Sequence, residues 1–264
     1  MARPVVALLT DFGTKDHYAG TMKGVVLSIC PDASLVDVSH EVPAHDVLAG
    51  ALELAASYQY FPPGTVFLVV VDPGVGSSRL GVAAEAGSFR FVAPDNGVLT
   101  AVFAETPPKK VVAISERKYA RPTISKTFEG RDRFAPAAAW LARGVGITAL
   151  GRPVKDFHVL DLPTPEFAEN RIVGTVLRAD RFGNLITNIP RAAVDQLLKG
   201  EAAIRVLAGR FPIEHVVATY AEAPEGAPCA LYGSTDHLEI ALNGGSASAA
   251  LALAAGAVVE VVRA

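Results

Sequence analysis

The sequence predicts an α/β protein in two parts: a doubly wound, mostly parallel sheet, then a smaller all-β domain of barrel or sandwich type. Three observations carry this. Up to Val71 the chain alternates short, apolar, β-rich runs with stretches of helical spacing, and a β-α-β-α-β order folds into a parallel sheet. From residue 171 onward it reads mostly as short strands divided by turn residues. Between the two, Leu162-Pro-Thr-Pro-Glu166 holds two prolines that suit neither a helix nor a ladder, which marks a linker. The domains are accordingly drawn at 1–163 and 164–264.

Pro4–Thr10 is apolar without alternation, the pattern of a strand covered on both faces. Asp11-Phe-Gly13 turns out of it into a helix over 17–30, where Tyr18, Met22, Val25, Val26 and Ile29 share one face. Leu35–Val38 is the second strand, and Asp46 is placed to cap a helix running through Val47, Ala51, Leu54 and Ala55. Val66–Val71 is the third strand. Leu80–Glu85 and Phe89–Ala93 read as two strands about a Gly87-Ser88 turn, and a short helix is expected from Val98. Residues 108–133 are Pro-rich and locally basic, with a helix following from Phe134 to Arg143. In the second domain, strands are expected at 171–179, 185–189, 203–207, 213–219, 229–232, 237–242 and 257–262.

Half of the 264 residues are apolar and 19% are charged, the composition of a globular chain. The net charge of −3 argues against a nucleic-acid partner, which calls for a basic balance. No apolar run has the length of a membrane span, and Met1-Ala-Arg-Pro4 leads straight into a strand with no signal-peptide pattern. Cys30 and Cys229 lie far apart and form neither a metal spacing nor a disulfide framework, which suits a reducing cytoplasm. None of the six histidines forms a metal pattern; a His40/His45 pair is the nearest approach, and no metal is expected.

Five segments carry candidate chemistry, each with a plainer alternative. Asp11, with Gly13 and Asp16, stands at a strand C-terminus, where open α/β sheets bind ligands; its carboxylate either grips a diol such as a ribose or caps the next helix. Asp72-Pro-Gly-Val-Gly-Ser-Ser-Arg79 closes a loop of small residues with an Asp and an Arg, either around a polar reactant or as a structural ion pair. It is not a dinucleotide fingerprint, since Arg79 stands where the third glycine belongs and the following segment alternates like a strand. Thr127-Phe-Glu-Gly-Arg-Asp-Arg133 offers Glu129 as a second carboxylate, or else a capping arrangement with solvated charges. Asp180-Arg-Phe-Gly-Asn184 is a turn, or a turn that also binds an amino-acid head group. Tyr232-Gly-Ser234 and Leu242-Asn-Gly-Gly-Ser246 are hairpin turns, or a base site in which Asn243 supplies a donor and an acceptor.

Taken together, LLTDFGTKDHYAGTMKGV, VVVDPGVGSSR, APDNGVLT, TFEGRDRFAPAAA, DRFGNLITNI and LEIALNGGSA resemble the SAM hydroxide adenosyltransferases, adenosine-forming S-adenosylmethionine (SAM) hydrolases related to fluorinases and chlorinases. The segments fall in the family's order and span nearly the whole chain. The resemblance implies a Rossmann-like first domain carrying the water-activating residues and a β-barrel second domain carrying adenine and methionine contacts. It implies a homotrimer, with SAM between the first domain of one subunit and the second domain of its neighbour. SAM is then substrate, with no cofactor. Asp11 holds the ribose diol; Asp16, Asp180 and Ser234 lie near the methionine, with Asn184 in the same turn; Asn243 and the Gly244 backbone meet the adenine, and Tyr220 stacks on it. Asp72 and Arg79 match two members of the family's Asp-Arg-His set around the attacking water, but Glu129 stands where those enzymes carry His. The halogenases carry Tyr at the Asp72 position and a halide-contacting Ser at Gly130, so the chain sides with the hydrolases.

The expected reaction is attack of water or hydroxide on C5′ of SAM, releasing L-methionine and adenosine. Two other readings stand beside it: a non-catalytic SAM or adenosine binder, in which Glu129 has disabled the chemistry, and a halide-dependent SAM transferase.

Overall fold

The computed structural model describes residues 3–198 and 203–263, which fall into two compact units, Met1–Leu162 and Pro163–Ala264. The first unit runs β1 (Val5–Thr10), α1 (Tyr18–Ile29), β2 (Ser34–Ser39), α2 (Val47–Ser57), β3 (Val66–Val70), β4 (Gly81–Ala86), β5 (Phe89–Pro94), α3 (Thr100–Glu105) and β6 (Pro108–Ala113). A π-helical turn, Gly130–Phe134, then leads into α4 (Ala135–Ala142). Six strands form one sheet in the order β2-β1-β3-β5-β4-β6. β2, β1, β3 and β5 are parallel, and β4 runs antiparallel to both β5 and β6.

Both faces of this sheet are covered, which is why its central strands do not alternate. Val6, Leu8, Val66, Leu68 and Val70 join Met22 and Val26 of α1 and Ala138 and Leu141 of α4 in one core. Ala7, Leu9, Phe67, Val69 and Val71 point the other way, to Leu54 of α2 and Val102 of α3. The chain passes from β1 through α1 to β2 on one side, then through α2 to β3 on the other. The topological switch therefore lies between β1 and β3, whose C-terminal ends flank the crevice where such sheets bind ligands. Asp46 caps α2 as expected, its side chain accepting from Ala49 N at 2.9 Å.

Some boundaries differ from the sequence expectations. α3 begins at Thr100, because Asn96 to Leu99 form a turn in which Thr100 N donates to Gly97 O. The Pro-rich stretch from 108 opens with an unforeseen strand, β6, whose Lys109 and Lys110 are exposed at the sheet edge; lysines there discourage further strand pairing and mask the strand pattern.

The second unit runs β7 (Glu166–Ala168), β8 (Arg171–Ala179), β9 (Leu185–Pro190), α5 (Arg191–Leu198), β10 (Ile204–Ala208), β11 (Phe211–Ile213), β12 (His215–Val216), β13 (Pro228–Tyr232), β14 (His237–Leu242), α6 (Ala247–Leu251) and β15 (Val258–Arg263). Among the described residues its strands follow the order β11-β10-β15-β8-β9-β14-β13-β12, with β7 added on β8. β11 and β12 stand at opposite ends of that order yet are separated only by Glu214. The sheet therefore curls back on itself as a nearly closed barrel around Ile172, Val176, Leu185, Val206, Ile240 and Val261. This also breaks the strand expected over 213–219: β11 pairs antiparallel with β10, whereas β12 pairs parallel with β13. α5 and α6 are not among the elements expected from the sequence; Ala193, Val194 and Leu197 of α5 fill the barrel core. No helix among the described residues is long and apolar enough to cross a membrane.

Candidate active site

Asp72 leaves the C-terminal end of β3, and the chain turns at once, with Val75 N donating to Asp72 O at 3.2 Å and Ser77 N to Gly74 O at 3.1 Å. Gly76 has a positive φ of 81°, and a Cβ there would lie 2.5 Å from the backbone oxygen of Lys126. Only glycine lets this loop approach the segment that leads to Glu129. The loop returns Arg79 onto Asp72: Nε donates to Oδ1 at 2.8 Å and Nη2 donates to Oδ2, a two-pronged bond that fixes the carboxylate plane. Nη1 donates to Glu129 Oε2 at 2.9 Å.

The three side chains of Asp72, Arg79 and Glu129 are 5%, 10% and 11% exposed. Phe134 lies beside the guanidinium, its ring centre 5.3 Å from Cζ. That ring fits because residue 81 is glycine: a Cβ there would overlap Phe134 Cε1. Glu129 immediately precedes the π turn, a feature common at functional sites. The same segment is anchored by Asp132, fully buried, which accepts two bonds from Arg131 at 2.7 Å each and one from Ser125 N at 2.9 Å. Glu129 thus stands at the N-cap position of the π turn, but its side chain makes no capping bond and is not a solvated charge.

Two carboxylates share the Arg79 guanidinium, and a second cation stands farther off, Arg133 Nη2 lying 4.0 Å from Glu129 Oε1. Burial pushes the Asp72 carboxyl above its ordinary value, outweighing the bonds from Arg79, and the charge of Glu129 adds to the effect. Burial alone would lower the Arg79 value, but Asp72 and then Glu129 hold it above the ordinary arginine range. The arrangement is a fixed, partly desolvated base beside a permanent cation.

Asp11 follows β1 and is not the cap of α1, since His17 occupies that position without a side-chain cap. Its Oδ2 accepts from His45 N at 2.9 Å. The register pairs Thr10 with Val70, so Asp11 and Asp72 emerge from neighbouring strand ends at the switch point. Asp16 is exposed in the turn ahead of α1 and is not drawn into these bonds.

Of the candidate residues of the second unit, Asp180, Asn184 and Asn243 lie where β8 ends, β9 begins and β14 ends, whereas Ser234 lies in the β13–β14 hairpin, at the other end of those strands. Asp180 Oδ1 accepts from Phe182 N and Asn184 N, both at 2.9 Å, and Asn184 Nδ2 donates to Asp180 Oδ2 at 3.0 Å. The turn expected here is present, and it holds Phe182 76% exposed. Gly183 has φ 85°, and a Cβ there would overlap Ser246 Oγ, so glycine alone seats this turn against the 243–246 loop. Asn184 Nδ2 reaches the Tyr220 hydroxyl at 3.5 Å, and that hydroxyl donates to Glu239 Oε2 at 3.3 Å. Asn243 spends its Nδ2 on Ala223 O at 2.7 Å, which braces the turn after Tyr220. Gly244 has φ 76°, and Ser234 is exposed in the β13–β14 hairpin loop.

Sequence reasoning missed Glu239. It is buried, burial pushes its carboxyl up, and a Cβ at Gly233 would overlap it. A charged residue in the middle of His237-Leu-Glu-Ile-Ala-Leu242 is the one sequence signal that could have marked it. Phe182 reads in the sequence as part of a turn, and a bulky aromatic at a turn tip is the signal that marks it.

Residues 6–151 match the SAM hydroxide adenosyltransferase N-terminal domain, and residues 174–260 match the SAM hydroxide adenosyltransferase C-terminal domain. The chain is 40% identical to the (R)-S-adenosyl-L-methionine hydrolase of Thermus thermophilus, over 98% of this chain and all of that one. It is 31% identical to a fluorinase of Nocardia brasiliensis, over 98% of this chain and 97% of the relative. Among solved structures, a conserved protein of Thermotoga maritima superposes with a TM-score of 0.91 at 37% identity, over 98% of this chain and 100% of that chain.

Proposed function

The chain belongs to the SAM hydroxide adenosyltransferase family, and we propose that it hydrolyses SAM to adenosine and L-methionine by attack of water on C5′. The observation that carries this reading is the buried Asp72–Arg79–Glu129 cluster at the C-terminal end of β3. A sulfonium is already a good leaving group, so the step needs no acid to expel it. What it needs is a better nucleophile than neutral water.

Asp72 supplies that by orienting a water and accepting its proton as the oxygen–C5′ bond forms. The C5′–S bond breaks in line, its electron pair stays on sulfur, and methionine leaves uncharged at sulfur. Arg79 keeps the Asp72 plane fixed and stabilises developing hydroxide, while positioning along the C5′–S axis lowers the barrier further. Glu129 takes the place of the family's His. Its bond to Arg79 holds the guanidinium on the side away from Asp72, and it serves as a second proton acceptor.

Asp11 grips the ribose diol from the neighbouring strand end. Asp180, Asn184 and Ser234, with Asp16, serve the amino-acid part. Asn243, Gly244 and the rings of Tyr220 and Phe182 serve the base. A homotrimer, which light scattering measures directly, accompanies this reading, as does a cytoplasmic setting suited to the two free, buried cysteines. The test is incubation of the purified chain with SAM. Equal amounts of adenosine and methionine are expected, and Asp72→Ala abolishes them while SAM binding partly remains. A tightly held ligand without turnover supports the binder reading, and chloride-dependent 5′-chloroadenosine supports the halide reading.

A further inference from the structure

β1 and β2 pair in step from Val5 with Ser34 to Leu8 with Asp37, but Leu9 pairs with Ser39. One extra residue, Val38, is taken up in β2. Bulges of this kind re-aim side chains next to active sites. Here the slip carries His40 opposite Thr10, the last residue before Asp11. His40 Nδ1 lies 2.8 Å from Thr10 Oγ1, and Nε2 lies 3.0 Å from Asp37 Oδ1. Lys23 Nζ donates to Asp37 Oδ2 at 2.6 Å. Burial would raise the Asp37 carboxyl, but the bonds from Lys23 and His40 hold it below its ordinary value, so it acts as an acceptor.

His40 therefore aims Nε2 at the Asp37 carboxylate and pairs Nδ1 with the Thr10 hydroxyl. Thr10 Oγ1 in turn accepts from Phe12 N at 3.3 Å, and the backbone oxygen of His40 accepts from Gly13 N at 2.7 Å. Both the side chain and the backbone of His40 therefore hold the 10–13 turn. Thr10 and His40 are buried, so no reactant reaches this Thr-His-Asp array. It has the connectivity of a catalytic triad without a nucleophile's access, and the turn it holds is the one that carries Asp11.

We propose that His40 is a positioning residue for Asp11: through Thr10 it sets the turn from which the Asp11 carboxylate meets a vicinal diol. This rests on the reading of Asp11 as the diol-binding residue. A mere packing role would affect every ligand alike, whereas a positioning role is specific to ligands that carry the diol.

The experiment is calorimetric titration of the full chain with adenosine and with 2′,3′-dideoxyadenosine, alongside melting temperatures. Asp11→Asn should abolish the preference for adenosine. His40→Gln places an amide near Nε2 and keeps Asp37 but loses Thr10; it should bind adenosine about tenfold more weakly and leave the dideoxy ligand unchanged. Thr10→Val should do the same and serves if His40→Gln does not fold. His40→Asn places its amide near Nδ1, keeps Thr10, and should recover most of the preference.

Equal weakening of both ligands, or an unchanged preference, in His40→Gln or Thr10→Val overturns the proposal. So does a His40→Asn variant no better than His40→Gln. If Asp11→Asn keeps the preference, the diol reading itself fails and takes the proposal with it; if only the His40 and Thr10 variants keep it, the positioning role alone fails.

Discussion

Arg79 Nη1 reaches Glu129 Oε2 at 2.9 Å across 50 residues of sequence, while Nε of the same guanidinium holds Asp72 at 2.8 Å. The cation is a bridge as much as a partner, and this geometry determines what substitutions there do. Lysine keeps the charge but not the planar fork, so it cannot hold both carboxylates. Arg79→Lys should lower kcat about a hundredfold with little change in fold, by analogy with loss of one oriented donor. Arg79→Met leaves two buried carboxylates facing each other and should cost about 3–5 kcal/mol in urea unfolding.

The pH dependence follows from Asp72. Its carboxyl must be ionised to accept a proton, and burial has raised its value. Activity should therefore rise with pH along a limb that lies above the ordinary aspartate value of 3.8. Glu129→Gln still accepts from Arg79 but removes a negative charge facing Asp72, so the limb should move to lower pH. A kcat/KM profile of both proteins checks this; a limb that moves up, or stays fixed, contradicts the assigned electrostatics.

Gly81→Ala tests the support behind the guanidinium. Its new methyl would overlap Phe134 Cε1, and Phe134 is fully buried, so the ring must move and release its contact with Arg79. Overpacking of this kind costs about 1–3 kcal/mol. Thermal unfolding and turnover should both fall, although the substitution touches no ionisable group.

How much of this was legible in the sequence depends on sequence distance and on local pattern. Asp72 and Arg79 lie 7 apart in one small-residue loop, and their pairing was readable as such. The central strands were readable because both faces are apolar. Glu129 looked locally like a cap; nothing in Thr127–Arg133 reveals that the Gly76 turn passes within contact of Lys126 and brings Arg79 to it. The role of His40 is not visible in the sequence, because the slip at Val38 that sets it opposite Thr10 is a property of pairing between strands. Glu239 was hidden for a similar reason, since its partner Tyr220 arrives from a separate turn 19 residues earlier.

Tyr220 and Glu239 supply a test in the second unit. Tyr220→Phe removes the hydroxyl that donates to Glu239 Oε2 and leaves a buried carboxyl short of a donor. About 1–3 kcal/mol of stability should be lost. Tyr60→Phe, at a position 80% exposed, should stay within about 0.5 kcal/mol. Under the proposed function, Tyr220→Phe also raises KM for SAM more than it lowers kcat.

Turnover of SAM in water enriched in oxygen-18, read by mass spectrometry of the products and of the protein after a single turnover, identifies the nucleophile directly. Attack of an Asp72-oriented water on C5′ predicts adenosine with the heavy oxygen at its 5′-hydroxyl and an unlabelled Asp72. Adenosine without label, label retained on Asp72, or no adenosine at all would contradict it.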